Sequence, residues 1–332
     1  MKFRSIVFAL AAVAVLACSG SAIAATESPG VLEGKSLLGK PLYTKSDNPV
    51  NVASVDVLQR ATAEAKTDYE RRLTVDSATW YGRLLAYQGL MREAIAVYSN
   101  ALKKFPDSGK LLRHRAHRYF NLREFDSSIK DATRAVTLYA GQPLVREKLG
   151  PKYFPSTPDV VQFYLYYHLG QVYFAEHQYD KAAQAFEQSR QIGLGVNDAS
   201  SITAATYWEY LSLARNQRYD DARHLLDEYG LTLLDLKENI ESNYYFDGIQ
   251  LFKNLRDPTA FYDKKDSGKA FSTADGMGAS TAYTLANYYL LQGESAQAKE
   301  FLRKAADVET WSYFAVVQAE ADWAYLYSGE AL

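Results

Sequence analysis

Tyr166-Tyr167-His168-Leu169-Gly170-Gln171-Val172-Tyr173 leads into a short polar break at His177-Gln178 and then into Ala182 and Phe186. Apolar and small residues fall three and four apart on both sides of the break. That is the spacing of one helix face, so the stretch predicts a helix–turn–helix. Gly170 lets the two helices approach closely, Tyr173 and Phe186 fill the space between them, and Ala182 is small where the second helix crosses the first. A single hairpin of this kind cannot bury both apolar faces, so the reading demands neighbours of the same type.

The neighbours are present. Upstream stand Tyr81-Gly82, Leu85, Ala94, Tyr98, Ala101 and Pro106, and Pro106 stops a second helix. In register 34 residues later come Ala116, Tyr119, Phe125, Ser128, Ile129, Ala135 and Leu138, with Ala132 in place of a large aromatic. Downstream, Leu213, Tyr219, Ala222 and Leu226 keep the spacing, although Tyr210 occupies a position that favours a small residue. A last copy holds Leu285-Ala286, Tyr289, Gly293, Ala298, Leu302 and Ala305. The pattern resembles the tetratricopeptide repeat, a helical hairpin with Trp-x2-Leu-Gly-x2-Tyr on its first helix and Ala-x3-Phe on its second, and Tyr166 stands where that family most often has Trp. The resemblance implies an all-α fold, a right-handed superhelical solenoid of hairpins with helical caps. Repeats are expected at about 75–108, 109–139, 163–196, 203–230 and 279–308. A charged helix over 52–72 is expected to cap the first repeat, and Trp311 to Tyr327 to cover the exposed end of the stack. A Pro/Gly-rich insertion at 140–158 and an irregular segment at 231–278 interrupt the series.

The N-terminus reads as a targeting segment. Met1 to Arg4 is basic, Ser5 to Ala17 is apolar but short for a bilayer span, and Ala22-Ile23-Ala24 is a small-x-small cleavage site. Residues 1–24 are thus expected to be a secretory signal peptide, and the Pro/Gly-rich 25–51 an extended leader, either a linker or a segment docked through Leu37 to Tyr43. A second reading stays open. Val15-Leu16-Ala17-Cys18 resembles a bacterial lipobox, in which Cys18 is lipidated and the chain is anchored to the outer membrane. Cleavage after Ala24 shortens 332 residues to 308 and takes the 37 basic side chains to 35, against 39 acidic, for a net charge of −4. That balance argues against a nucleic-acid binder. Cys18 is the single cysteine, so no disulfide holds the mature chain, and packing must supply its stability. The 26 tyrosines outnumber the 15 phenylalanines and suit helix pairs whose rings are buried with a polar tip at the edge.

No catalytic constellation is visible. The sequence has no His-Glu-x-x-His pair, no Gly-rich phosphate loop and no Gly-x-Ser-x-Gly elbow. His114 and His117 lie among Arg113, Arg115 and Arg118, where Coulomb repulsion opposes a metal cation. His177 and His224 read as surface residues. The expectation is a non-enzyme without cofactor or metal.

The stronger signal is a groove. In the repeat family the first helix of each hairpin lines the concave surface, where partner peptides bind. Carried over by register, that surface comprises Thr79, Trp80, Arg83 and Tyr87, then Arg113, His114, His117, Phe120 and Asn121, then Tyr164, Tyr167, His168, Gln171 and Phe174. It is aromatic and basic in an acidic protein, which suits a segment bearing acidic groups or a free C-terminal carboxylate. Salt bridges from these arginines to neighbouring helices, with the tyrosines as inter-repeat core, are the competing assignment. The resemblance implies a non-enzymatic scaffold or adaptor of the bacterial cell envelope, similar to secreted and lipoprotein members that hold envelope enzymes or assembly factors together. The alternative is a periplasmic protein that stacks small ligands or glycans on the aromatic groove.

Overall fold

The computed structural model describes residues 30–44, 55–147, 160–236, 244–262, 276–330 and 332. The expected signal peptide with Cys18, the leader before 30 and beyond 44, most of the 140–158 insertion, and parts of the 231–278 segment lie outside these residues.

Fourteen helices are found among the described residues: α1 (Val55–Arg71), α2 (Val75–Tyr87), α3 (Met91–Lys104), α4 (Gly109–Asn121), α5 (Phe125–Tyr139), α6 (Val161–Ala175), α7 (Tyr179–Gly195), α8 (Ala199–Arg215), α9 (Tyr219–Leu236), α10 (Tyr244–Phe252), α11 (Pro258–Tyr262), α12 (Gly276–Gln292), α13 (Ser295–Ala306) and α14 (Phe314–Leu326). They pack in consecutive antiparallel pairs, an all-α repeat architecture. Gly170 and Gly82 show why the first helices carry glycine. A Cβ at Gly170 would lie 2.7 Å from the Phe186 ring, and one at Gly82 would lie 2.4 Å from Tyr98. Both rings are fully buried against the bare backbone.

One turn recurs in every hairpin. Gly89, Arg123, His177, Gln217 and Gly293 all take a left-handed φ just past the first helix. Around each, one amide reaches back three residues and the next reaches back five, as in His177 N to Phe174 O and Gln178 N to Tyr173 O. This is the Schellman closure of a helix C-terminus. Asn254 repeats it between α10 and α11. The segment read as irregular therefore holds a sixth, shortened hairpin. Its apolar pattern was unreadable because α10 is nine residues and α11 only five. Tyr210 stacks on Phe252 of α10 at 4.8 Å, which accounts for a large residue where the other hairpins have a small one.

Three placements depart from the sequence-based expectation. The first concerns the leader: of the two readings left open, linker or docked segment, the structure has the docked one, and the departure is that it is a strand pair. Residues 30–44 form an antiparallel hairpin, β1 (Leu32–Lys35) and β2 (Pro41–Tyr43). It is docked at both ends of the chain. Glu33 accepts from the Arg92 amide at 2.7 Å on α3, while the Trp311 indole donates to Tyr43 O at 2.8 Å and Lys40 pairs with Asp307 at 2.7 Å. The second concerns α14. It packs on both helices of the last hairpin, α12 and α13, and also reaches back to α6. Ala315 through Trp323 are all buried, so α14 behaves as an interior helix rather than a cap with a polar outer face. Two apolar clusters, one under α1–α5 and one under α7–α13, meet along α6 and α14. The third concerns His177. It is not a plain surface residue: its Nε2 lies 3.2 Å from Asp322 of α14, and its ring stacks on Tyr325. His224 is exposed beside Glu228.

Candidate functional site

The inner face of α2 presents Trp80, Arg83 and Tyr87 at helical spacing, all half-buried, with Thr79 buried beside them. The α4 face presents Arg113, His114, His117, Phe120 and Asn121, and the α6 face Tyr164, Tyr167, His168, Gln171 and Phe174. These faces do converge, but the chain itself occupies most of the space between them.

Glu147, from the stub of the insertion, enters the basic part. His114 Nε2 lies 2.6 Å from its Oε1, Arg113 3.4 Å from the same oxygen, and Arg83 3.3 Å from Oε2. His114 Nδ1 faces Arg113 at 3.0 Å. The same Arg113 nitrogen also lies 2.7 Å from Nε2, and burial with that charge beside the ring favours the neutral imidazole. Burial, then the charge of Arg113, lowers the His114 pKa to about 3. Burial alone would raise the Glu147 carboxyl, yet His114, Arg113 and Arg83 outweigh it and hold the group well below the usual carboxylate range. Arg113 also lies over the Tyr164 ring at 4.8 Å, and Arg83 over Trp80 at 5.6 Å.

α14 fills the aromatic part. Phe314 stacks on His117 at 5.3 Å and on His168 at 5.7 Å, and meets Tyr167 edge-on. Gln318 donates to Gln171 O at 2.8 Å, and Asn121 donates to Ser312 O at 2.8 Å. His117 and His168, 3.9 Å apart, are both held neutral, first by burial and then by the nearby arginines. Phe174 lies outside the groove, packed edge-on against Trp208 of α8. Of the three arginines on α4, Arg115 follows the competing assignment, binding Asp131 of α5 through two parallel bonds of 2.6 and 2.8 Å, while Arg113 pairs with Glu147 of the insertion rather than with an adjacent helix. Arg118 has no such pairing among the described residues.

What stays open is a cavity of about 320 Å³ beside Arg118, lined by Tyr87, Met91, His117 and Asn121 from the hairpins and by Tyr244, Tyr245, Ser280 and Ser312 to Phe314 from the C-terminal third. The register argument found the wall on α2 and α4. It missed the wall from α10, α12 and the start of α14, because the groove positions were carried only through the first three hairpins, α10 lay in the segment read as irregular, and the start of α14 lies outside the repeats. Among the described residues, no group of three or more His, Cys, Asp or Glu could hold a metal ion. No helix there is long and apolar enough to cross a membrane.

The tetratricopeptide-repeat family model matches the chain at residues 163–189 and 279–309. Among solved structures, a tetratricopeptide repeat protein from Parabacteroides merdae is similar at 17% identity, covering 79% of this chain and 92% of its own, with a TM-score of 0.46. The nearly identical repeats of a putative kinesin light chain from Podospora anserina are similar at 14% identity, covering 78% of this chain and 100% of their own, with a TM-score of 0.40. No curated protein matches the sequence.

Proposed function

From the premise that this chain is a tetratricopeptide-repeat protein, we propose that it is a non-enzymatic scaffold of the bacterial cell envelope, exported by its N-terminal segment, that holds a partner protein in its concave groove. Repeats of this family suggest protein–protein interaction in general. The partner segment is acidic or ends in a free carboxylate. The observation that supports this reading is Glu147. One carboxylate of the chain already sits between Arg83, Arg113 and His114, so the chemistry of this face is that of a carboxylate receptor. Trp80, Arg83 and Tyr87, half-buried on α2, put aromatic rings and a guanidinium on the same face.

The test is affinity capture of the mature protein from a membrane-plus-periplasm extract, in parallel with Trp80→Ala. Arg113 and His117 are unsuitable for such a test. Both are locked into the interior, and an acidic residue at either place would unfold the site rather than report on it. A reproducible partner lost with Trp80→Ala supports the groove. A partner held equally by both moves the site elsewhere. The mass of the exported chain checks the envelope assignment: the expected mature N-terminus is Ala25, and a lipid on Cys18 would instead give a membrane-anchored form.

A further inference from the structure

The docked strands of residues 30–44 tie together two distant parts of the chain. On one side are the turn after α2 and the start of α3. The Thr44 hydroxyl donates to Gly89 O at 3.1 Å, the Arg92 amide donates to the Glu33 carboxylate at 2.7 Å, and Arg92 Nε donates to Glu33 O at 2.9 Å. Leu90, the N-cap of α3, offers no side-chain acceptor, so Glu33 caps this helix from another segment. On the other side are the α13–α14 connection and α14. The Trp311 indole donates to Tyr43 O at 2.8 Å, Lys40 pairs with Asp307 at 2.7 Å, and the Leu37 amide donates to Glu320 at 3.2 Å. Both anchorages adjoin the cavity of about 320 Å³. Gly89 lies between Tyr87 and Met91 of one wall and Arg92 follows them, while Trp311 precedes Ser312, Tyr313 and Phe314 of the other.

The hold on these strands is mostly polar. Leu42 is buried and Leu38 packs partly on the core, but Val31 and Leu32 are 57% and 54% exposed. Lys40 and Asp307 both lie half in solvent, where an ion pair contributes little. A two-stranded hairpin is marginal by itself in water, so undocking and loss of the strands form one step. A segment with few buried apolar contacts opens at less cost than the whole fold. The two walls are also joined from inside, by Asn121 on Ser312 O and by Arg123 on Glu320, so they remain folded when the strands leave. We propose that residues 30–44 are a releasable strap across the rim of this cavity. Docked, the strap fixes the spacing between the first hairpin and the C-terminal third; released, it lets the rim widen and gives solutes access to the cavity. The inference goes beyond the partner-binding reading, and either can fail alone, because the bonds that hold the strap involve neither Trp80 nor Glu147.

Hydrogen exchange of the full mature chain reads the release. The Ser36 and Thr44 amides, bonded within the strap to Lys40 O and Val31 O, are expected to exchange about tenfold or more faster than the amides inside α3 and α14. Thiol labelling reads the access. The chain from Ala25 onward has no cysteine. Ser312→Cys therefore places a single thiol in the cavity wall, and Ala96→Cys places a control on the exposed face of α3. Each is combined with the pair Glu33→Ala and Lys40→Ala, which removes the cap on α3 and the outer ion pair. Weakening the strap in this way is expected to speed maleimide attack at position 312 by about tenfold and to leave position 96 unchanged. The proposal is overturned if the strap amides exchange only together with those of α3 and α14, or if the thiol at position 312 reacts at the same rate with the strap intact and weakened. Should the double variant fail to fold, Trp311→Phe takes its place, since it keeps a ring and removes the bond to Tyr43 O.

Discussion

Arg123 and Glu320 form a buried ion pair across 197 residues of sequence, with Nε and a terminal nitrogen of the guanidinium 2.9 and 2.6 Å from the two carboxylate oxygens. Each side chain is under 5% exposed. The same carboxylate accepts from the Leu37 amide at 3.2 Å, and the same guanidinium donates to Trp311 O at 3.0 Å. The second hairpin, the N-terminal strands and α14 are therefore joined at one point. Glu320→Gln removes the charge and leaves Arg123 buried without a counter-ion. The expected loss is about 3–5 kcal/mol, the usual cost of breaking a buried pair on one side. Urea unfolding of the two proteins measures it, and a loss under about 1 kcal/mol would mean that the pair is not buried in solution.

The recurring left-handed turn residue gives a paired prediction. Gln217 is exposed at φ +59°, where a residue with a Cβ is strained by about 1–2 kcal/mol and glycine is not. Gln217→Gly is expected to stabilise the chain slightly, by about 0.5–1 kcal/mol once the entropy of the unfolded glycine is counted. Arg123→Gly has the same backbone at φ +63° but deletes the partner of Glu320, so it is expected to destabilise. Opposite shifts in thermal midpoint would bear this out; shifts of the same sign would not.

Gly170→Ala tests the close approach inside the third hairpin. Alanine is the better helix former, by about 1 kcal/mol. Here, however, the new methyl would meet the Phe186 ring, which is itself fully buried. A net destabilisation of about 1–3 kcal/mol is expected from overpacking. Adding Phe186→Leu should cost less in the Gly170→Ala background than in the wild type, and a double-mutant cycle reads that coupling.

Acid should weaken the fold in two stages. His114, His117 and His168 are held neutral in the folded chain, with pKa values depressed by burial and by neighbouring arginines. The unfolded chain protonates its histidines as pH falls through about 6.5, so their contribution is complete above that value and is lost below it, for His114 down to about pH 3. Glu147 and Asp322 are held ionised by the cations facing them, so a further loss begins where unfolded carboxyls protonate, near pH 4. Urea midpoints at several pH values between 7.5 and 4 should fall monotonically. His168→Gln should flatten the fall between pH 7 and 5, and an unchanged slope would show that His168 is protonated in the folded chain.

The hairpins were legible in the sequence because their determinants are local. Gly170 with Phe186, and Gly82 with Tyr98, meet within one helix pair, and residues three and four apart share a face whatever the rest of the chain does. The α10–α11 hairpin lacked that signal because helices this short give too few turns for a period to show. The identities of the groove residues on α2, α4 and α6 could be read from register, but not what fills the space between them. Glu147 on Arg83, Arg113 and His114, Phe314 on His117 and His168, and Glu320 on Arg123 are pairings between segments with no shared period. The curvature of a repeat stack is the sum of small rotations between neighbours. It sets how wide the concave face is, and here the chain's own C-terminal helix packs back on α6, with Arg118 among the residues that line the cavity left beside it. Local spacing fixed the repeating unit; the accumulated curvature of the stack, which no short stretch encodes, decided what its groove contains.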